Sequence, residues 1–361
     1  MMRYGERFRA TIFGSSHGPE VGIEIEGIPV GTPIDRDALQ TQLDRRRPVG
    51  RRLATKRQEE DRLIVDAGLA DGKADGSTFR AHVVNEDVRR EPYERMRDTP
   101  RPGHADYPAR VRYGAEADLS GGGIFSGRMT VGLVIAGTVA RQMLATRGID
   151  VVGYTRSIGT VDAQILESWD IPTLRSRAQQ NEVSTPDTVA ATRMEEAIAL
   201  AHRDGDSLGG VIEVRIDGLP VGLGEPFFDS IESAIAHVVF SVPAIKGIEF
   251  GAGFRAARMR GSEHNDAFAW VDGQVRTVTN HAGGILGGLA TGMPVVFRAV
   301  VKPTSSIARP QQTVDLARRT SHTLAVTGRH DPCIVPRAVV VLESVAAMAL
   351  VDLALRGGYL S

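Results

Sequence analysis

A histidine on a tightly constrained loop is the first candidate for acid–base chemistry. In RPGHADY (101–107) the ring of Pro102 fixes one backbone angle and Gly103 permits an unusual turn, so His104 has little backbone freedom. Asp106 follows two residues later and can orient the imidazole, which titrates near neutral pH. From these residues alone, a turn histidine that hydrogen-bonds the backbone is an equally good interpretation.

A second histidine lies in GSSHG (14–18), where glycines flank Ser15, Ser16 and His17. Such a turn crowds polar donors together, so it can hold an anion and offer a proton. An ordinary polar turn with a surface histidine explains the same five residues.

A run rich in arginine, LDRRRPVGRRLATKR at 43–57, offers positive charge for an anionic ligand. Arginine binds phosphate and carboxylate groups through two hydrogen bonds at once. Nucleic acid is a poorer partner because no aromatic residue interleaves with the run, the acidic QEED (58–61) follows it, and the net charge of the chain is −1. A solvated basic face is the remaining alternative, and we favour a pocket for a small polyanion.

Three further segments have the composition of phosphate-binding loops. SGGGIFSGRMT (120–130) leads into a predicted helix with Ser126 and Arg128 in its first turn, as in anion sites at helix N-termini, although it lacks the GK[ST] ending of a P-loop. NHAGGILGG (280–288) precedes KPTSSI (302–307), which puts one lysine beside several hydroxyl groups. Each segment is also compatible with a plain loop.

GRHDPC (328–333) sets Asp331 beside an arginine and a histidine and before a proline. The aspartate is suited to be a buried base or, alternatively, a helix cap. The sequence has no HExxH, no CxxC and no acidic cluster with ligand spacing, so we predict no bound metal.

The composition is that of a globular protein of 361 residues, 42% of them hydrophobic and 24% charged. The single cysteine, Cys333, excludes an intrachain disulfide and predicts a reducing compartment, the cytoplasm. We see no apolar segment of a signal peptide, and the apolar run at 131–140 is too short for a membrane span of ~20 residues. We therefore predict neither a membrane nor a nucleic-acid partner.

A degenerate repeat predicts the architecture. EIEGIPVG (24–31) and RIDGLPVG (215–222) each follow an alternating strand pattern and each precede a predicted helix that an aspartate caps, from Asp35 to about Arg47 and from Asp229 to about Ser241. The first helix ends in basic residues and the second in apolar ones, which predicts an active site built on one half only.

Other periodic segments complete a mixed α/β (α+β) fold class. We predict helices at 129–147 and 187–203, a terminal helix or strand–helix at 338–355, and strands at 149–154, 211–217, 247–250 and 295–301. We interpret residues 1–361 as a single domain built of two pseudo-equivalent halves.

The order of the motifs resembles the chorismate synthase family over almost the whole chain, from about residue 10 to about residue 340. The matching strings are GSSHG, RRRP, RPGHADY, SGGG with SGRMT, GDSLGG (205–210), AIKGIEFGAGF (244–254), NHAGGILGG, KPTSSI and GRHDPC. RPGHADY and GRHDPC are the most specific of them. The resemblance implies a β-α-β sandwich with an internal pseudo-two-fold repeat, assembled as a homotetramer.

The resemblance also implies a lyase of the shikimate pathway, which serves aromatic amino acid biosynthesis. Its reaction is the anti 1,4-elimination of phosphate from 5-enolpyruvylshikimate 3-phosphate, giving chorismate. The reaction needs reduced FMN as cofactor without net redox change, so the resemblance implies a flavoprotein. The sequence shows no nicotinamide fingerprint for NADPH, which favours an external flavin reductase as a partner.

Residue roles are implied at the positions that match the family motifs. His17 would protonate the departing phosphate, His104 would set the protonation state of the reduced flavin near N1, and Asp331 would take the N5 proton. Ser16 and Ser126 would help to position these groups. The residues that match cofactor-binding positions are Ser126, Arg128, Asn280, His281, Lys302, Thr304, Ser305, Ser306 and Arg329. Those that match substrate-binding positions are Arg47, Arg52, Arg57, Arg101, Arg128 and Arg329.

The sequence departs from the family pattern in three motifs. Ser15 replaces a glutamate in the first histidine loop. Further departures are Val49, Arg51, Ala54 and Glu60 in the basic run, and Ile124, Phe125, Gly127 and Met129 in the glycine-rich loop. They concern the substrate loop and one edge of the flavin site, whereas the acid–base residues are all retained.

Two other classes of protein are compatible with single motifs. One is a non-catalytic anion- or RNA-binding module with a degenerated site, but such a site should have lost His17, His104 or Asp331. The other is an unrelated phosphate-handling enzyme, such as a kinase or mutase. A kinase requires a metal-binding acidic pair near its glycine-rich loop, and the sequence has none.

Overall fold

The computed structural model describes residues 2–47, 60–86, 97–114, 120–326 and 330–361. Within these ranges the main strands form two five-stranded antiparallel sheets, and a layer of helices packs between them. The chain therefore has the β-α-β sandwich that we expected.

The first sheet has its strands in an order different from the chain order. In chain order, the strands of this part are β1 (Arg3–Tyr4), β2 (Arg9–Gly14), β3 (Glu20–Glu26), β4 (Ile64–Ala67), β5 (Leu69–Ala70), β6 (Lys73–Ala74) and β7 (Phe79–Val84). The sheet order is β1-β2-β3-β7-β4, and β5 and β6 form a separate short hairpin.

The second sheet is built in the same way from the later part of the chain. Its strands are β8 (Asp150–Ile158), β9 (Val161–Asp162), β10 (Gly210–Asp217), β11 (Ile245–Phe250) and β16 (Val295–Val301). Two separate hairpins lie between β11 and β16 in the chain: β12 (Phe268–Val271) with β13 (Gln274–Thr277), and β14 (Ile285–Leu286) with β15 (Leu289–Ala290). The sheet order is β11-β16-β10-β8-β9. A last hairpin joins β17 (Gln311–Asp315) to β18 (Thr320–Leu324).

The two repeated sequence strings begin in corresponding strands. EIEGIPVG begins in the last residues of β3 and RIDGLPVG in the last residues of β10, and each of these strands is third in the order of its sheet. In β3 the alternating residues Val21, Ile23 and Ile25 are fully buried against the helices, as the alternation of apolar and polar residues predicted. Each strand then leads into a helix of eleven residues.

The helices of the described residues are α1 (Arg36–Arg46), α2 (Asp106–Tyr113), α3 (Thr130–Ala145), α4 (Ile171–Ala178), α5 (Thr188–Arg203), α6 (Ile231–Ser241), α7 (Gly261–His264) and α8 (Val335–Arg356). Five of them, α1, α3, α5, α6 and α8, begin and end close to the predicted positions, whereas α2, α4 and α7 were not predicted. Asp35 caps α1 by accepting two backbone N–H groups. The predicted cap Asp229 was wrong: Ser230 caps α6, and the Asp229 carboxylate accepts a hydrogen bond from Arg356 instead.

The layer between the sheets is centred on α3 and α8. Their backbones approach closely at Gly137, where an added Cβ would lie 2.2 Å from the Cβ of Ser344. Helix α8 is long and apolar enough to cross a membrane, but almost all of its apolar stretch is buried inside the protein. Burial on every side explains its apolar composition without a bilayer.

A buried carboxylate ties this layer together. Glu343 of α8 is fully buried and accepts hydrogen bonds from Arg45 of α1 at 2.6 Å, Arg141 of α3 at 3.2 Å and the backbone N–H of Gly153 in β8 at 2.9 Å. Burial opposes its ionisation, but the two guanidinium groups outweigh that effect and hold the pKa of Glu343 below its ordinary value. The cluster fixes the end of α1 relative to the rest of the fold.

Candidate active site

A cavity of about 740 Å³ collects most of the predicted site residues. This volume is in the range of small-molecule sites. Its wall includes Arg46 at the end of α1 and Phe240 and Ser241 at the end of α6. We expected a site on the basic half alone, but both halves contribute, because the ends of the two corresponding helices meet at the same cavity.

The RPGHADY loop is held by its own aspartate. Nδ1 of His104 lies 2.5 Å from Oδ1 of Asp106, and the same carboxylate accepts hydrogen bonds from the backbone N–H and the guanidinium of Arg101 at 3.0 and 2.8 Å. Burial opposes ionisation, but the bonds from Arg101 and His104 prevail and hold the pKa of Asp106 well below its ordinary value. Arg101, predicted to bind substrate, is thus paired with Asp106 and also orders the histidine.

The KPTSSI segment packs directly against this loop. Lys302 Nζ donates to the carbonyl of Gly103 at 2.5 Å and to Ser305 Oγ at 2.7 Å, and Arg101 donates to Ser306 Oγ at 3.2 Å. Burial, and then the charge of Lys246, lower the pKa of Lys302. All of these side chains line the cavity, so the segment presents cations and hydroxyl groups to any ligand there.

Asp331 lies on the same wall, and an arginine that the sequence analysis missed holds it. Arg337, in the first turn of α8, forms an ion pair with Asp331 and donates from Nε to the backbone carbonyl of Arg46 at 3.1 Å. Thr304 Oγ1 donates to the carbonyl of Asp331 at 2.8 Å. The one sequence signal for this contact was that Arg337 follows the GRHDPC string by a few residues.

His330 also lines the cavity, although no role was assigned to it. Its Nε2 atom is buried and has no hydrogen-bond partner within the described ranges. Burial, and then the charge of Arg101, lower the pKa of His330. Both effects favour the neutral form of the imidazole.

The arginines at the end of α1 face different ways. Arg46 is 3% exposed and lines the cavity, whereas Arg47, the predicted ligand, donates to Asp44 at 3.0 Å and does not line it. Arg46 is the last residue of α1, whereas Arg47 is its C-cap with an extended backbone, so the two side chains leave the chain in different directions. Arg46 shares the carboxylate of Asp61 with Arg128, another cavity residue.

Ser16 and His17 lie behind the glycine-rich loop. A Cβ added to Gly121, which lines the cavity, would lie 1.9 Å from Cε1 of His17, so only glycine allows this contact. His17 is 5% exposed, and Ser16 is fully buried with no hydrogen-bond partner for Oγ among the described residues. Ser126 lines the cavity and accepts the backbone N–H of Arg128 at 3.3 Å.

Not every predicted residue reaches the cavity. Asn280 donates to the carbonyl of Pro294 at 2.8 Å, and the backbone N–H of His281 donates to Asp266 at 2.8 Å; neither Asn280 nor His281 lines the cavity. Three predicted ligands lie outside the described residues: Arg52, Arg57 and Arg329.

The side chains of the cavity define a class of protein. Its cationic side chains are Arg46, Arg101, Arg128, Lys246, Lys302 and Arg337. An imidazole paired with a carboxylate and a second carboxylate, Asp331, stand among them. Such a wall suits an enzyme that binds a small polyanion and moves protons on it.

Comparisons with known proteins identify the family. A family model described as chorismate synthase matches residues 8–355. A chorismate synthase of Korarchaeum cryptofilum is 47% identical over 349 residues, covering 97% of this chain and 96% of that protein. One of Dehalococcoides mccartyi is 45% identical over 354 residues, covering 98% and 96%. A crystal structure of chorismate synthase aligns with a TM-score of 0.78 at 27% identity, covering 98% of this chain and 93% of that chain.

The chain belongs to the chorismate synthase family, as its motifs indicated. It is a lyase, and its family serves the shikimate pathway of aromatic biosynthesis.

Proposed function

We propose that this chain converts 5-enolpyruvylshikimate 3-phosphate into chorismate and phosphate by anti 1,4-elimination, with reduced FMN as cofactor. The observation that carries the proposal is the convergence of His104, Asp331 and six cationic side chains on one cavity. The substrate has a phosphate and two carboxylates, so a predominantly cationic wall matches its charge.

The residues of the cavity fit a flavin mononucleotide. Lys302, Thr304, Ser305 and Ser306 form a compact set of donors suited to a phosphate group. The buried, unpartnered Nε2 atom of His330 supplies a further polar contact for a ring-bearing ligand. When bound there, reduced FMN would donate an electron or accept a proton at N5.

We assign proton movements to three side chains. His17 lies behind the glycine-rich loop and outside the cavity wall, and its role as the proton donor to the departing phosphate is proposed on its motif position. The His104 imidazole, oriented by Asp106, would hold a proton for a bound reduced flavin. The Asp331 carboxylate, oriented by Arg337, would act as the base. Ser16 and Ser126 help to position these groups.

We assign the substrate ligands by which arginine side chains line the cavity. Arg46 takes the place that we expected of Arg47, because its side chain reaches the cavity. Arg128 lies beside it, while Arg101 acts mainly through Asp106 and His104. Arg52, Arg57 and Arg329 remain proposed ligands on the basis of their motif positions, and Asn280 and His281 remain proposed on that basis alone.

We further propose a cytoplasmic homotetramer of single-domain chains, each with two pseudo-equivalent halves. The single cysteine is consistent with a reducing compartment. Large exposed aromatic residues such as Phe227, Phe228 and Trp270 are candidates for subunit contacts. An external reductase would supply reduced FMN, because the sequence has no nicotinamide fingerprint.

The test is an anaerobic assay with reduced FMN and 5-enolpyruvylshikimate 3-phosphate that follows phosphate release and the absorbance of the diene. We expect both signals from the wild type. His104→Ala and Asp331→Ala should keep the fold and FMN binding but lose about 10²- to 10⁴-fold in turnover, the usual contribution of an acid–base group. His322→Ala and Asp162→Ala, on exposed positions, are the matched controls.

Absence of phosphate release from the wild type would contradict the proposed reaction. Wild-type turnover in both cavity variants would leave the reaction standing and overturn the roles given to His104 and Asp331.

A further inference from the structure

Asp61 sits between two cavity arginines, and the proposed mechanism does not use it. Its side chain is 0% exposed. One carboxylate oxygen accepts a hydrogen bond from Arg46 at 2.5 Å, and the other forms a close ion pair with Arg128. The side chains of both arginines line the cavity, so one carboxylate is shared by two candidate anion ligands.

The contacts around Asp61 fix the geometry of this triad. The backbone of Asp61 has a φ of +47°, a left-handed conformation that aspartate tolerates better than most residues. Gln40 of α1 donates to its carbonyl at 3.2 Å, and Nε of Arg128 donates to Asn85 at 2.9 Å. The carboxylate therefore joins the end of α1 to the turn that precedes α3.

The triad needs its negative charge. Burial opposes the ionisation of Asp61, but Arg46 and Arg128 outweigh it and hold the pKa of Asp61 below its ordinary value. Burial also lowers the pKa of Arg46 to about 10, against the pull of Asp61. Without the carboxylate, two buried guanidinium groups would face each other with less compensation and would separate.

We propose that Asp61 is a positioning residue that holds the Arg46 and Arg128 guanidinium groups side by side on the cavity wall, where together they bind an anionic group of the substrate. The inference rests on the proposed function, since it takes 5-enolpyruvylshikimate 3-phosphate as the ligand. It adds a residue that acts through the arginines and does not touch the reacting atoms.

The Asp61→Asn variant distinguishes a positioning role of Asp61 from a direct effect of its charge on substrate binding. The substitution removes a negative charge beside an anion site, so long-range electrostatics alone would tighten substrate binding. An amide, however, presents an N–H₂ group to one of the two arginines, a donor facing donors, and that guanidinium must turn away. Positioning therefore predicts weaker binding, the opposite sign.

The experiment compares Asp61→Asn with Asp71→Asn. Asp71 has nearly the same backbone angle, φ +48°, but is exposed and lies outside the cavity wall. Substrate Kd is measured by titration in the presence of oxidised FMN, and KM and kcat are measured with reduced FMN. We expect Asp61→Asn to raise Kd and KM about 10- to 100-fold, by analogy with the loss seen when groups that orient metal ligands are removed. The relative fall in kcat should be smaller, and Asp71→Asn should match the wild type.

Unchanged or tighter substrate binding by a folded Asp61→Asn variant would overturn the proposal. If that variant does not melt cooperatively, Asp61→Glu decides, because it keeps the charge and displaces the carboxylate by one methylene. A raised substrate Kd in Asp61→Glu supports positioning, and a wild-type Kd overturns it. Failure of the proposed reaction is distinguishable, since it would abolish phosphate release in the wild type.

Discussion

Gly121→Ala tests the packing of His17 behind the glycine-rich loop. Gly121 has φ +61° and ψ 19°, a left-handed conformation, and its added Cβ would lie 1.9 Å from Cε1 and 2.1 Å from Nδ1 of His17. Because His17 is only 5% exposed, its ring has little room to retreat. The substitution should therefore displace His17 without touching its chemistry.

The magnitude follows from two costs. Alanine in a left-handed conformation costs ~1–2 kcal/mol, and overpacking a buried contact costs ~1–3 kcal/mol. Their combination, about 2–5 kcal/mol, is within the stability of an ordinary domain, so the variant should fold. An ordinary carbon contact needs about 3.4 Å, so the ring must shift by more than ~1 Å, and a misplacement of that size costs ~10²-fold in rate.

The assay measures Tm and anaerobic phosphate release for Gly121→Ala and two glycine controls. Gly72 has φ +73° with nothing within 4 Å of an added Cβ, so Gly72→Ala carries the backbone cost alone and should keep its turnover. Gly261→Ala, outside the cavity wall, has neither strain nor contact and should behave as wild type. Wild-type kcat and Tm in Gly121→Ala would refute the reasoning about His17.

Two more predictions concern the carboxylates of Glu343 and Asp106. Glu343→Gln should lower the free energy of unfolding by about 1.5–3 kcal/mol at neutral pH, because two partly buried arginines lose their charged partner. Because the pKa of Glu343 is depressed, this stabilisation is complete above the unfolded pKa of about 4.3 and is lost as the pH falls through the lower pKa of the folded state. In urea melts, the difference in unfolding free energy between wild type and Glu343→Gln should therefore narrow in acid, whereas the exposed control Glu167→Gln should match the wild type. A difference that does not change with pH would contradict the prediction. Asp106→Asn should cut turnover ~10²-fold, because His104 loses the carboxylate that orients it. If Asp106→Asn turned over as fast as the exposed control Asp162→Asn, Asp106 would not orient a catalytic histidine.

Local patterns predicted much of the fold. The alternation in β3 and β10 and the Asp35 cap of α1 depend on contacts within a few residues, so the sequence carries them directly. The error at Asp229 arose because two adjacent residues could cap α6, and a partner far along the chain, Arg356, takes the aspartate. Competition of this kind is invisible to a local pattern.

In the candidate site too, contacts between neighbouring residues were predictable and contacts between distant segments were not. The His104–Asp106 pair was predictable because the two residues are neighbours on one constrained loop. The choice of Arg46 over Arg47 depends on which face of α1 meets the cavity, and the spacing of charges does not reveal it. The roles of Asp61 and Arg337 depend on contacts between segments far apart in the chain.

The sequence by itself determined five of the helices, several strands, the repeat and the motifs that indicate a flavin-dependent lyase family, because short-range geometry and residue chemistry are written in consecutive residues. Only the tertiary structure decided that the ends of α1 and α6 share one cavity and that Asp61 joins two arginines there. The reason is physical: a buried charge is stable only beside a partner, and the partner is brought to it by packing of the whole chain.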